Sequence, residues 1–229
     1  DDHLIICIGR THGSAGTDIG FALADKLKIN FYDAEIFEAV LKRLEAQKDS
    51  IQDSVSYGIK PGIKKEPAHD QDANVNPSEA FIPERHLTLR QRMREFSRFH
   101  GLPKRDAVFF NESDLLVDMA KKEDFVILGR CGDAIMANNN IPHISIYITA
   151  PFEQRIKRAM EIDSSLTVKQ ARHMLKHLDH VHSQYYHYYT NRNWGHSNNY
   201  DLCINSASYG IDGTVDFIYR MITAREEDK

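Results

Sequence analysis

The apolar, β-branched run Leu4–Ile8 leads into a turn in which Gly13 and Gly16 bracket Ser14 and Ala15, and a helical pattern follows directly. Strand, glycine turn, helix is the order of a loop that can hold a phosphate. Backbone N–H groups in such a turn converge on one centre, and the helix dipole adds positive potential there. The standard pattern G-x-x-x-x-G-K-[ST] places a lysine where this chain has Gly16, and Thr17 and Asp18 follow it. The spacing also departs from the G-x-G-x-x-G dinucleotide fingerprint. Residues Gly13, Ser14, Ala15, Gly16, Thr17 and Asp18 are therefore candidate phosphate-binding residues. The alternative is a strand-to-helix turn that merely uses glycines.

With 229 residues, 41% of them hydrophobic, the chain can fill one substantial core. A net charge of −4 gives no global attraction to nucleic acid or to an anionic membrane. Cys7, Cys131 and Cys203 each sit in or beside an apolar run without metal-ligand spacing, which predicts small buried thiols in a reducing compartment. No apolar stretch reaches the roughly 20 residues of a membrane span. The start DDHLIICIG has neither the basic region nor the cleavage site of a signal peptide, so the expected location is cytoplasmic.

Five strand-like runs, Leu4–Ile8, Asn30–Tyr32, Phe125–Leu128, Ile144–Thr149 and Asp201–Ile204, are mostly separated by helical patterns, which predicts a parallel sheet with helices on both faces. Helices are expected at about Asp18–Leu27, Ala34–Leu44 and Thr214–Ala224. Between Ala46 and Phe81 the chain turns polar and reads as loop. Five arginines follow in 85–98, as a solvated face paired with Glu84 and Glu95 or as phosphate ligands. An arginine-rich segment with no interleaved aromatic platform does not make a nucleic-acid surface.

The segment Thr167–Thr190 opens with the pattern of a capping box, Thr167 and Gln170, and carries Val168, Ala171, Leu175, Leu178 and Val181 at helical spacing. His173 and His177 have the i, i+4 spacing of a metal pair, but no H-E-x-x-H arrangement surrounds them and no metal ligands are assigned. The tyrosines of QYYHYYT suit a half-buried, packed surface.

Read in order, GRTHGSAGTDIG, NFYDAEIF, FVILGRCGDAIM, ISIYITAPFEQRIKR, DHVHSQYYHYYTNRNWG and NNYDLCINSASYGID resemble successive segments of the cytidylate kinase-like family, in the nucleoside monophosphate kinase group of P-loop proteins. Colinearity carries the resemblance, not any one motif. It implies a P-loop NTPase fold of three layers, α/β/α, as a single domain over 1–229. The sheet would be five-stranded and parallel, with a monophosphate-binding insertion at 49–111 and a helical lid at 163–192.

The resemblance also implies transfer of the ATP γ-phosphoryl, with Mg²⁺, to a nucleoside monophosphate of cytidylate type, a reaction that needs positioning and charge neutralisation. Arg155 and Arg158 would clamp the transferring group, their alternative being an i, i+3 surface pair. Arg130 would bind the acceptor phosphate, and Tyr32 and Asp33 would lie near its sugar or base. His180 and His182 occupy lid positions that are usually Lys or Arg in relatives. Leu128 stands where working relatives have a strand-end aspartate, so either Thr17, Asp18 or Asp133 would serve a water-mediated Mg²⁺ or that site would be absent. The other reading is a nucleotide-binding module, a sensor or partner protein, that has kept the fold and lost transfer chemistry. The expected partner is a nucleotide or small phosphorylated substrate, with no nucleic acid or membrane.

Overall fold

β1 (Ile5–Arg10) lies at the centre of a five-stranded, wholly parallel sheet of order β2-β3-β1-β4-β5. The computed structural model describes residues 3–34, 113–129 and 131–227, which belong to one compact unit built from residues 1–34 and 111–229. The expected helix at 34–44 from Glu35 on, the polar stretch 46–81, the arginines of 85–98 and the insertion at 49–111 lie outside the described residues, as does Arg130.

The other strands are β2 (Asn30–Asp33), β3 (Phe125–Leu128), β4 (Ile144–Thr149) and β5 (Leu202–Asn205). β1 pairs with β3 in the register Ile5 to Phe125 and Ile8 to Leu128, and with β4 from Ile6–Ile144 to Arg10–Ile148. Continuous apolar runs form the inner strands because helices cover both faces. On one face Ile6, Ile8, Ile146 and Ile148 pack against Ile19 and Leu23 of α1 (Gly16–Leu27). Val215, Ile218 and Ile222 of the last helix complete that cluster. On the other face lies α2 (Gly132–Asn138), close enough that a Cβ on Gly132 would stand 3.1 Å from Cγ2 of Ile127 and 3.7 Å from Sγ of Cys7.

α3 (Phe152–Ile162) and α4 (Val168–Thr190) close a second small core of Ile156, Ala159, Ala171 and Leu175. The capping box at the head of α4 forms: Thr167 Oγ1 accepts from the Gln170 amide at 3.3 Å, and Gln170 Oε1 accepts from the Thr167 amide at 2.9 Å. α5 (Ser206–Glu227) starts eight residues before the expected Thr214, with Gly210 at φ 68 breaking its helical geometry near the start.

β1 runs two residues past the expected Ile8, because Arg10 still pairs with Ile148. The burial expected of Cys203 is corrected, and one residue of the helical spacing in α4 lies at the surface. Cys203 is exposed, because β5 is an edge strand whose side chains alternate and Ile204 takes the inward position. Val168 is exposed, because as the first residue of α4 it precedes the helix's contact with the body. Among the described residues no helix is long and apolar enough to cross a membrane.

Candidate functional site

The turn after β1 leads into α1 through Ala15, which adopts the left-handed conformation (φ 63) with no side-chain cap. Gly13 is left-handed too (φ 78), and a Cβ there would meet the Arg155 carbonyl oxygen at 2.8 Å. Conformation and space together require glycine at this position. The loop is pinned from beneath: the Thr11 amide donates to the Ile148 carbonyl (3.0 Å), and the Ser14 hydroxyl donates to the Thr11 carbonyl (2.6 Å). Ser206 donates its hydroxyl to the Ser14 carbonyl at 2.6 Å. Ser14 is therefore a buried structural tie, not a ligand facing outward. Among the described residues the amides of Gly13, Ala15, Gly16, Thr17 and Asp18 make no backbone hydrogen bond, whereas that of Ser14 donates to Thr11. These are the donors a helix start leaves unpaired, and they sit on the sheet's C-terminal edge, where α/β proteins bind ligands.

The arginines expected to clamp phosphate sit against this loop and are engaged by carboxylates. Arg155, 4% exposed, grips Asp179 of α4 with both terminal nitrogens (2.6–3.1 Å) and donates to the His12 carbonyl at 3.2 Å. Burial pushes the Asp179 carboxyl above its ordinary range, against the pull of Arg155. Arg158 pairs with Asp18 in the first turn of α1. The surface-pair alternative therefore fails for Arg155, which reaches inward, while the partly exposed Arg158 crosses to the loop. Two arginines one helical turn apart thus tie the loop to α3 and α4.

His182 stacks on His12 with ring centroids 4.9 Å apart and on Trp194 at 5.8 Å. His180 is exposed. Two positions apart on a helix, these side chains point in different directions, so only His182 joins the loop. Behind it a cavity opens between the ends of β1 and β3 and the inner side of α4, lined by Arg10, Gly129, Asp133, His182, Tyr186 and Trp194. Asp133 is buried there, and the Tyr186 hydroxyl donates to it at 2.7 Å. Burial raises the Asp133 carboxyl above the usual carboxylate range, against the hydrogen bond from Tyr186.

The sequence model for a cytidylate kinase-like family matches residues 5–208, nearly the whole of this fold and all of the loop and arginine positions just described. The chain belongs to the cytidylate kinase-like family. No curated protein sequence matches it significantly. Among solved structures it is similar to an uncharacterized protein from Eubacterium ventriosum, 24% identical, with 96% of this chain and 99% of that one covered and a TM-score of 0.63. Similar folds are also found in TT1252 from Thermus thermophilus (14% identity, 98% of each chain, TM-score 0.51) and in shikimate kinase from Bacteroides thetaiotaomicron (12%, 96% and 98%, 0.50). These likenesses show the fold alone, a parallel sheet with helices on both faces.

Within this family member the second strand's residues part company. Tyr32 turns its hydroxyl toward Glu123 (3.0 Å), which precedes β3, with its ring edge-on to Phe125. The hydroxyl thus points away from the ligand edge of the sheet. Asp33, the last residue of β2, pairs in register with Leu128 and stays at that edge. Three residues escaped the sequence reading: Arg10, Asp179 and Ser206. Asp179 had a legible signal, as an isolated acid on the inward side of a basic, histidine-rich helix. Ser206 and Arg10 had none, because their partners are chosen by the closing of the sheet.

Proposed function

We propose that this family member is a phosphotransferase that takes ATP on the Gly13–Asp18 loop and moves its γ-phosphoryl to a nucleoside monophosphate of cytidylate type. The single observation that carries the reading is that, among the described residues, the amides of Gly13, Ala15, Gly16, Thr17 and Asp18 make no backbone hydrogen bond at a helix start on the sheet's ligand edge. Arg155, Arg158 and His182 flank this loop, so exchange of the Asp18 carboxylate for phosphate would turn Arg158 onto the transferring group. Asp133, Asp33 and Arg130 supply the acceptor side, Asp133 from within the cavity. Among the described residues no three His, Cys, Asp or Glu side chains cluster to hold a metal by themselves. Mg²⁺ would enter with the phosphates and be met by one or two protein oxygens, with Thr17, Asp18 and Asp133 the candidates. The ion's chemistry is neutralisation of charge on the phosphate oxygens.

A second reading, a nucleotide-binding module with little transfer activity, is favoured by Gly16 in the lysine position and by the carboxylates already on both arginines. One experiment separates them: calorimetry against ATP with and without Mg²⁺, followed by a coupled assay with CMP, dCMP, UMP and AMP as acceptors. Turnover with one acceptor preferred supports the first; binding of ATP without turnover supports the second. No binding of ATP or of any monophosphate would sink both.

A further inference from the structure

A Cβ built on Gly16 would stand 2.5 Å from Cβ of Arg10, 3.0 Å from its Cγ and 3.1 Å from its Cδ. No side chain fits at position 16 while Arg10 is present. The volume that the missing lysine's stem would enter is filled by the stem of an arginine from the last position of β1. Arg10 is 7% exposed and also lines the cavity at the sheet's C-terminal edge. The guanidinium is a delocalised cation whose fork of donors suits phosphate oxygens.

We infer that Arg10 supplies the phosphate loop with the fixed positive charge that a lysine at position 16 gives in the G-x-x-x-x-G-K pattern. The cation has moved from the helix to the strand, and Gly16 is glycine to make room for it. This rests on the proposal that the loop binds a nucleotide triphosphate. The lysine of that pattern reaches the β- and γ-phosphates, so Arg10 should discriminate by the number of phosphates on the ligand.

The test uses the full chain, with Arg10→Met, which keeps the aliphatic stem over Gly16 and removes the charge, and calorimetry with ATP, ADP, AMP and inorganic tripolyphosphate. Thermal melting without ligand checks the fold. Losing a charge-assisted contact should weaken ATP and tripolyphosphate at least tenfold and leave AMP within about twofold. A double variant, Arg10→Gly with Gly16→Lys, clears the overlapping Cβ and returns the charge to the helix, and it should recover most of the lost ATP affinity. Unchanged ATP binding by a folded Arg10→Met protein overturns the inference. Equal weakening of AMP and ATP does so too, since that marks a packing role, as does a folded double variant no better than Arg10→Met. If the parent binds tripolyphosphate through Arg10 but not ATP, the inference stands and the nucleotide reading falls. If it binds neither, both fall.

Discussion

The turn after β1 and the turn after β3 are built on one backbone plan and packed in opposite ways. Each ends in a left-handed non-glycine residue, Ala15 (φ 63) or Cys131 (φ 61), followed by a glycine at the helix start, Gly16 or Gly132, and an acid in the first turn, Asp18 or Asp133. Around the first turn lie charges: the Arg10 stem over Gly16, Arg158 on Asp18, and Arg155 on the His12 carbonyl. Around the second lie Ile127 and Cys7 over Gly132, and a tyrosine hydroxyl on a buried Asp133. Backbone geometry alone therefore does not distinguish the two turns. What covers the glycine does.

The largest expected effect falls on the first turn alone. Arg155→Ala leaves Asp179 half-buried beside an emptied space and frees the His12 carbonyl, and should cost about 2–3 kcal/mol, somewhat below the ~3–5 kcal/mol for breaking a fully buried pair because Asp179 keeps some contact with water. Urea unfolding measures it; a loss under about 0.5 kcal/mol would show that the turn does not depend on its ionic ties. Next comes the direct comparison. Gly16→Ala drives a Cβ into the Arg10 stem and should cost about 1–3 kcal/mol, whereas Gly132→Ala meets only Ile127 at 3.1 Å and should cost less than about 1 kcal/mol. Equal losses would mean that the two coverings are equivalent.

Asp133→Asn sharpens the second turn through pH. Burial raises this carboxyl in the folded chain, so its contribution to stability is fully present below the ordinary carboxylate value and is lost as pH rises through the raised one. Asparagine mimics the neutral acid. The variant should therefore melt higher than the parent at pH 7 and close to it near pH 3, and parallel melting profiles would contradict the assignment. Smallest is Arg158→Ala, whose partner Asp18 is exposed, with an expected change of about 0–1 kcal/mol in stability. Its consequence should appear instead in turnover with ATP and an acceptor.

Legibility in the sequence followed the same division. Phe125–Leu128 and Ile144–Thr149 were placed to the residue, because short runs of four to six residues dominated by β-branched and aromatic side chains fit a strand buried on both faces. The capping box at Thr167 was readable because all its parts lie within one turn of helix. Gly13 was legible as part of a turn, but the second reason for it, the Arg155 carbonyl, lies 142 positions away. The pairing of Arg155 with Asp179 and the inward lean of Arg10 depend on how helices dock after the sheet closes, and no local pattern encodes that. The direction of the Tyr32 hydroxyl was not legible for the same reason: Glu123 reaches it only through the β2–β3 pairing.

The central place of β1 has a consequence for synthesis. Its five apolar and glycine positions leave the ribosome well before the strands that flank it, which start at Phe125 and Ile144. Until those residues emerge, the strand that will be most deeply enclosed has both hydrogen-bonding edges open, a state prone to wrong pairing. Closure of long-separated strands is also slow. A nascent chain halted before residue 144 should still present one bare edge of β1, and a protease or a holdase chaperone should distinguish it sharply from a chain halted just beyond residue 149.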